Sequence, residues 1–397
     1  MEDKLSWTFS GNSALKLNIR HLWLLGTWKL GESRLFKMQS TVAFGLSIWS
    51  TVECILAVYF IWGDLEQTTL VLLITCTCSS GVVKMFIFVY DRRRYDSLTL
   101  RLDALLSLQT GPCSEDPALA AISDWSRKKA SRLTMGLLLF MLSQSMVWYF
   151  VPLIAHPEER SLPFVQHQWD NNSLYELSYG VQCLSAVWIS QISFSVDCLF
   201  ASVMILVAAQ LEILGQRLIN LKNGRDSAEK EEKKQLDSKT GESMYDDLCL
   251  CIETHQEILR FVTQLQDTMS PIAMTQFALS VVIACMALFQ ATFSEDFSAV
   301  LKCASFLPIP GGQVYLYCWA ATNVTEQAEA VSAAAYSCSW VDASERFKRS
   351  LRIIISRSQK PLVLTAGHLY PINREAFLTL VNASYSYYAL LSQMNNR

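Results

Sequence analysis

Charge is what this chain is short of. Asp, Glu, Lys and Arg make up 17% of its 397 residues, against about 25% in an average soluble domain, too few to clothe a water-soluble body of this size. Histidine is scarce as well, and His21, His156, His167, His255 and His368 are not spaced to meet at one metal ion. The twelve cysteines form no Cys-x-x-Cys unit, and the two Cys-x-Cys pairs lack a partner at zinc-site spacing. Most lie in apolar runs, among them Cys54, Cys76, Cys78, Cys198, Cys285 and Cys318, so cysteine reads as a small apolar side chain and no metal or cofactor is expected. His-Glu-x-x-His, Gly-x-Ser-x-Gly, a P-loop and Gly-x-Gly-x-x-Gly are all missing, and with them the usual enzyme constellations. A net charge of −3 gives nucleic acid nothing to bind. The first 39 residues mix Lys4, Trp7, Lys16, Arg20, Trp23, Trp28 and Lys37 without the clean apolar stretch of a cleaved leader. The first span is therefore expected to drive its own insertion.

What is present is long apolar runs. A hydrocarbon layer about 30 Å thick takes roughly 20 mostly apolar helical residues to cross. Thr41–Trp62, Thr68–Tyr90, Leu133–Ile154, Tyr179–Ala209, Met269–Phe293 and Phe297–Thr322 satisfy this, and the third and fifth carry no charge. A seventh, Ala376–Met394, is shorter and includes Asn382, Ser384, Ser386 and Ser392. Runs this long and this few cannot close a barrel, so the expected fold is an all-α membrane protein of seven helices.

Lysine and arginine set the orientation. The segments on one side of these spans (1–39, 91–132, 212–268 with Arg217, and 323–375) are rich in them, holding six, eight, eight and seven, whereas the other side has Arg160 and Arg397 alone. This predicts a cytoplasmic N-terminus and an extracellular C-terminus, and it carries the polar seventh span, which follows Arg374. Asn171-Asn172-Ser173 is a glycosylation sequon in the predicted outer loop. Arg225–Glu242 is a run rich in Lys and Glu, after which Leu248, Ile252, Ile258, Leu259, Val262 and Leu265 recur at helical spacing. A cytoplasmic helix running on into span five is expected, and 212–268 and 323–375 together would form an anchor below the membrane.

Charges within spans are functional candidates, with structural pairing as the first reading. Lys84 and Asp197 lie about 24 and 27 Å from the outer ends of their spans at 1.5 Å per residue, close enough in depth to pair. Pro308-Ile309-Pro310-Gly311-Gly312 in span six removes donors and loosens the helix. Such a break marks binding sites in transporters, and a simple kink is the alternative. Ser143, Met146, Trp148 and Phe150 on span three, with Trp188 and Phe194 on span four, suggest an apolar pocket with a polar anchor, or else the ordinary interfacial belt.

The C-terminal third carries a family likeness. Arg357-Ser-Gln-Lys-Pro361, Ala366-Gly-His-Leu-Tyr-Pro371, Phe377 and Ser384-Tyr-Ser-Tyr-Tyr-Ala-Leu-Leu391 resemble the end of insect odorant receptors. Leu24-Leu-Gly-Thr-Trp28 and His255-Gln-Glu-Ile-Leu-Arg-Phe261 are similar to earlier segments of the same family. Ser386-Tyr387 followed by Gln393-Met394 also echoes insect gustatory receptors, while the 357–371 block favours the odorant branch. The resemblance implies a ligand-tuned subunit that assembles with the shared odorant co-receptor as a heterotetramer in the plasma membrane. It implies a nonselective cation channel opened by a small volatile ligand bound among the outer halves of spans two, three, four and six. Residues 376–397 would supply the pore helix, with Leu390 and Met394 as its apolar gate and Gln393 as a polar ring. Two other classes compete. Asp91-Arg92-Arg93-Arg94-Tyr95 superficially suggests a G-protein-coupled receptor, but it follows span two and the termini are on the wrong sides. A secondary transporter would need repeat-related halves, which the sequence does not display.

Overall fold

The computed structural model describes residues 7–30, 34–63, 65–155, 162–164, 175–221, 233–294 and 297–395. In chain order its helices are α1 (Trp7–Asn12), α2 (Lys16–Leu24), α3 (Arg34–Ile61), α4 (Leu65–Tyr90), α5 (Arg92–Leu108), α6 (Thr110–Glu115), α7 (Pro117–Ala155) and α8 (Tyr175–Ile219). They continue with α9 (Lys233–Phe293), α10 (Phe297–Phe306), α11 (Pro308–Tyr336), α12 (Glu345–Ser358) and α13 (Arg374–Asn395). Among the described residues, α3, α4, α7, α8 and α9 are each long and apolar enough to cross a bilayer. Span six is built from two pieces, because α10 ends at Phe306 and α11 restarts at Pro308, where a proline has no N–H to give to the preceding turn.

α8 is the axis of the molecule. Every residue from Gln191 to Leu211 is buried, as expected for a helix apolar on all sides, and α4, α7, α9 and α11 pack around it. α4 packs tightly on α8 where Gly81 faces Ile189: a Cβ at Gly81 would run into the Ile189 Cγ2.

Below the spans the helices run on. α9 is continuous from the polar segment into span five, across Pro271. Leu248, Cys251, Ile258, Phe261, Val262 and Leu265 on it join Leu199–Leu218 of α8, Leu98 and Leu102 of α5, Ile19 and Leu22 of α2, and the lower half of α11 in one core. His255 is buried in this layer. Desolvation, with the Arg357 guanidinium nearby, lowers its pKa to about 4, so it is neutral at physiological pH and packs as a structural residue.

α12 closes the layer from beneath. Ser344 accepts the Phe347 N–H at 3.3 Å as its cap, and Phe347, Leu351, Ile354 and Ser358 turn inward. Arg349, Arg352, Arg357 and Lys360 line its open side. A two-residue antiparallel ladder, β1 (Thr365–Ala366) and β2 (Tyr370–Pro371), then turns the chain upward into α13. Gly367 and His368 adopt φ of +61° and +57° in that turn. α9 holds it: Gln266 exchanges hydrogen bonds with the Thr365 backbone at 2.8 Å, and Ser270 takes the Gly367 and His368 N–H groups at 3.0 and 2.9 Å.

Candidate functional site

Between α4, α7, α8, α9 and the α10–α11 break lies a cavity with about 890 Å³ of open space, its mouth included. Its walls are apolar and aromatic: Leu73 and Ile74 from α4, Met141, Trp148 and Tyr149 from α7, Ile189 and Phe194 from α8, Ile283 from α9, and Phe306, Ile309 and Pro310 from the break. Phe164 stacks on Trp148 at 5.5 Å between ring centroids, and Phe306 meets the same ring edge-on at 5.9 Å. Lys302 holds its ammonium 5.8 Å from the Trp148 centroid. The proline break matters because α10 and α11 can diverge there, which leaves a hollow instead of a packed helix surface.

The floor is polar. Gln276 and Gln313 both line the cavity, and behind them stands the pair foreseen from depth in the membrane. Lys84 Nζ donates to both Asp197 oxygens at 2.7 Å, with both side chains fully buried. Gln313 Nε2 and Tyr317 OH also donate to that carboxylate, each at 2.8 Å. Four hydrogen bonds into one carboxylate offset the desolvation of a buried charge, and they bind α4, α8 and α11 at a single point. Gln276 extends the network from α9, donating to Gln313 Oε1 at 2.9 Å and to Ser280 Oγ at 2.7 Å.

Of the pocket candidates read from the sequence, Trp148 and Phe194 line this cavity. Ser143, Met146 and Phe150 do not. They lie on the exposed outer face of α7, and the Ser143 hydroxyl is turned back to the Phe140 carbonyl at 2.8 Å. The face of α7 that meets the cavity is the one carrying Met141, Gln144, Ser145 and Trp148. Both sets have helical spacing in an apolar span, so periodicity cannot separate the side facing lipid from the side facing protein. Trp188 is also outside the cavity and serves a different purpose: its Nε1 donates to the Leu25 carbonyl at 2.9 Å, fastening the N-terminal segment to α8. The polar floor was legible only in part, through Lys84 and Asp197. Gln276 and Gln313 carry no sequence signal beyond being amides in apolar spans.

α13 stands at the edge, against α9 and α11. Leu378, Tyr385, Tyr387 and Leu390 are all more than half exposed, and Gln393 is exposed as well. The side chain of Met394 and the sequon at Asn171 lie outside the described residues. A groove bounded by Ser280, Pro310, Gly311, Phe377, Val381 and Ser384 separates α13 from the rest. Pro310 borders both this groove and the cavity, so a single turn of α11 lies between pocket and edge helix.

A family model described as 7tm Odorant receptor matches residues 64–385. Odorant receptor Or2 of Anopheles gambiae is 25% identical over 354 residues, covering 86% of this chain and 88% of that protein. The solved structure of the insect olfactory receptor OR5 from Machilis hrabei superposes with a TM-score of 0.82 at 18% identity, covering 96% of this chain and 97% of the other. The same receptor in complex with eugenol superposes at 0.80. The seven-helix membrane fold is thus shared across nearly the whole length, and the match to the odorant model decides between the odorant and gustatory branches. The chain belongs to the insect odorant receptor family.

Proposed function

We propose that this odorant receptor subunit forms, with the odorant co-receptor, a tetrameric cation channel opened by a small volatile ligand in the α4–α7–α8–α11 cavity. The observation that carries this reading is that the cavity and α13 flank the same turn of α11 at Pro310. A ligand that fits the cavity better when that turn has moved biases α13 with it, which is the differential affinity a gating ligand must have. The mixed surface of α13 supports assembly, since Asn382, Ser386 and Gln393 are poorly suited to lipid while the exposed Tyr385, Tyr387 and Leu390 are poorly suited to water. In that assembly α13 lines the pore, Leu390 and Met394 gate it by dewetting, and Gln393 forms a polar ring. The cytoplasmic layer of α5, α9, α11 and α12 serves as the anchor. Acids assigned to the outer side, Asp64, Glu66, Glu158, Glu159, Asp170, Glu176, Glu295 and Asp296, outnumber Arg160 and Arg397 and would concentrate monovalent and divalent cations. The eugenol complex of the Machilis receptor supports a ligand of that size. The test is co-expression with the co-receptor and recording against a broad volatile panel: odour-evoked cation current is expected, and its absence with both subunits at the surface would refute the reading.

A further inference from the structure

The hydrogen bonds around the cavity can be counted proton by proton, and the count is unequal. A hydroxyl has one proton to give. Thr77, Ser145 and Ser190 each give theirs to a carbonyl of their own helix, at 2.8, 2.9 and 3.0 Å, and Tyr149 gives its own to the Cys183 carbonyl at 2.9 Å. These four offer a ligand lone pairs and nothing else.

On the floor one amide oxygen is left without a donor, for a reason that begins at the buried ion pair. An ionised carboxylate only accepts, so the Gln313 side chain facing Asp197 must present its NH2 group there. That turns the Gln313 carbonyl toward Gln276, which must in turn present its own NH2. Its second amide proton goes to Ser280 Oγ. The direction of both amides follows from the network, and the chain ends with Gln276 Oε1, which accepts no hydrogen bond among the described residues. Nor is that oxygen sealed off in packing, as the unpartnered Nε1 of Trp148 is. A charge pair in the middle of the protein therefore sets a bare carbonyl acceptor at the bottom of an apolar cavity. The donors left for a ligand are the Ser80 and Ser193 hydroxyls and one amide proton each on Gln144 and Gln313.

We propose that Gln276 is the specificity-determining residue of this cavity, and that the subunit selects volatiles carrying a hydrogen-bond donor, alcohols or phenols on an apolar body, over ethers of the same shape. The inference rests on the cavity being the ligand site. A ligand hydroxyl satisfies the buried carbonyl of Gln276, while an ether oxygen placed there leaves two acceptors facing each other. A site built around a hydrogen bond rejects the analogue that cannot make it far more strongly than an apolar wall rejects an extra methyl group.

The experiment records currents from cells co-expressing this chain and the co-receptor, using pairs that differ in one methyl group: benzyl alcohol with benzyl methyl ether, and 1-hexanol with hexyl methyl ether. The alcohol of each pair is expected to reach half-maximal current at about tenfold lower concentration. Gln276→Met should reduce that ratio to below about threefold by weakening the alcohol. Gln313→Leu frees the Gln276 amide to turn its NH2 into the cavity, and should reduce the ratio by strengthening the ether, a gain that loss of fold cannot produce. Equal potency of alcohol and ether in the wild-type channel overturns the inference, even if neither variant reaches the membrane. So does an unchanged ratio in Gln276→Met. Silence toward every volatile would instead strike the channel reading beneath it.

Discussion

At the scale of single residues, Lys84 is where the energetics concentrate. Its ammonium is fully buried, and among the described residues it donates to Asp197. Removing one partner of a buried pair leaves the other unmatched, at a cost of about 3–5 kcal/mol. Lys84→Met is expected to lower the melting temperature of the detergent-solubilised protein sharply, and adding Asp197→Leu should restore part of the loss, because the double change removes both desolvated charges. Thermal unfolding followed by tryptophan fluorescence reads this, and a double variant no better than the single one would contradict it. The pair itself was legible in the sequence, since two opposite charges at matching depth in apolar spans have few other ways to be satisfied. Its connection to the cavity was not. Gln313 and Tyr317 meet Asp197, and Gln276 meets Gln313, only because α9 and α11 pass α8 at that height.

At the scale of elements, α13 is the helix whose composition makes least sense alone. It has too few apolar residues for a span surrounded by lipid and too many exposed ones for a helix in water. A helix lining a pore needs one face of each kind. If Leu390 belongs to an apolar gate, as proposed, Leu390→Ala is expected to raise the current that flows without ligand by several-fold over the unmodified channel, with voltage-clamp recording as the check. An unaltered basal current would move the gate away from this position. The base of α13 is held by the hairpin of residues 365–371 on α9 and by Arg374, 3.4 Å from Glu326 of α11. That exposed ion pair contributes little by itself. The hairpin, with its backbone hydrogen bonds to Gln266 and Ser270, is the firmer attachment.

At the scale of the whole molecule, the distribution of lysine and arginine between the two sides of seven spans predicts the orientation. An epitope at the C-terminus is expected to stain in intact cells and one at the N-terminus only after permeabilisation; the reverse pattern would invert the topology. The same molecule divides into two layers with different physics. Above, the helices separate at the α10–α11 break and leave the cavity. Below, α2, α5, α8, α9, α11 and α12 share one dense apolar core.

The sequence alone determined that the chain is helical and crosses a membrane, because only long apolar runs answer the length of a bilayer and only an intrahelical ladder satisfies the backbone inside it. It also determined the continuity of α9 into its span, through apolar periodicity that never breaks between Leu248 and Leu265, and the odorant-receptor likeness of residues 357–391. Which side of each span meets a cavity was decided only by the tertiary structure. In a helix apolar on every side, lipid-facing and protein-facing positions are chemically alike, so Ser143, Met146 and Phe150 read as well as Met141, Gln144 and Ser145, and only the packing of α7 on α8 puts one set on the cavity and leaves the other outside.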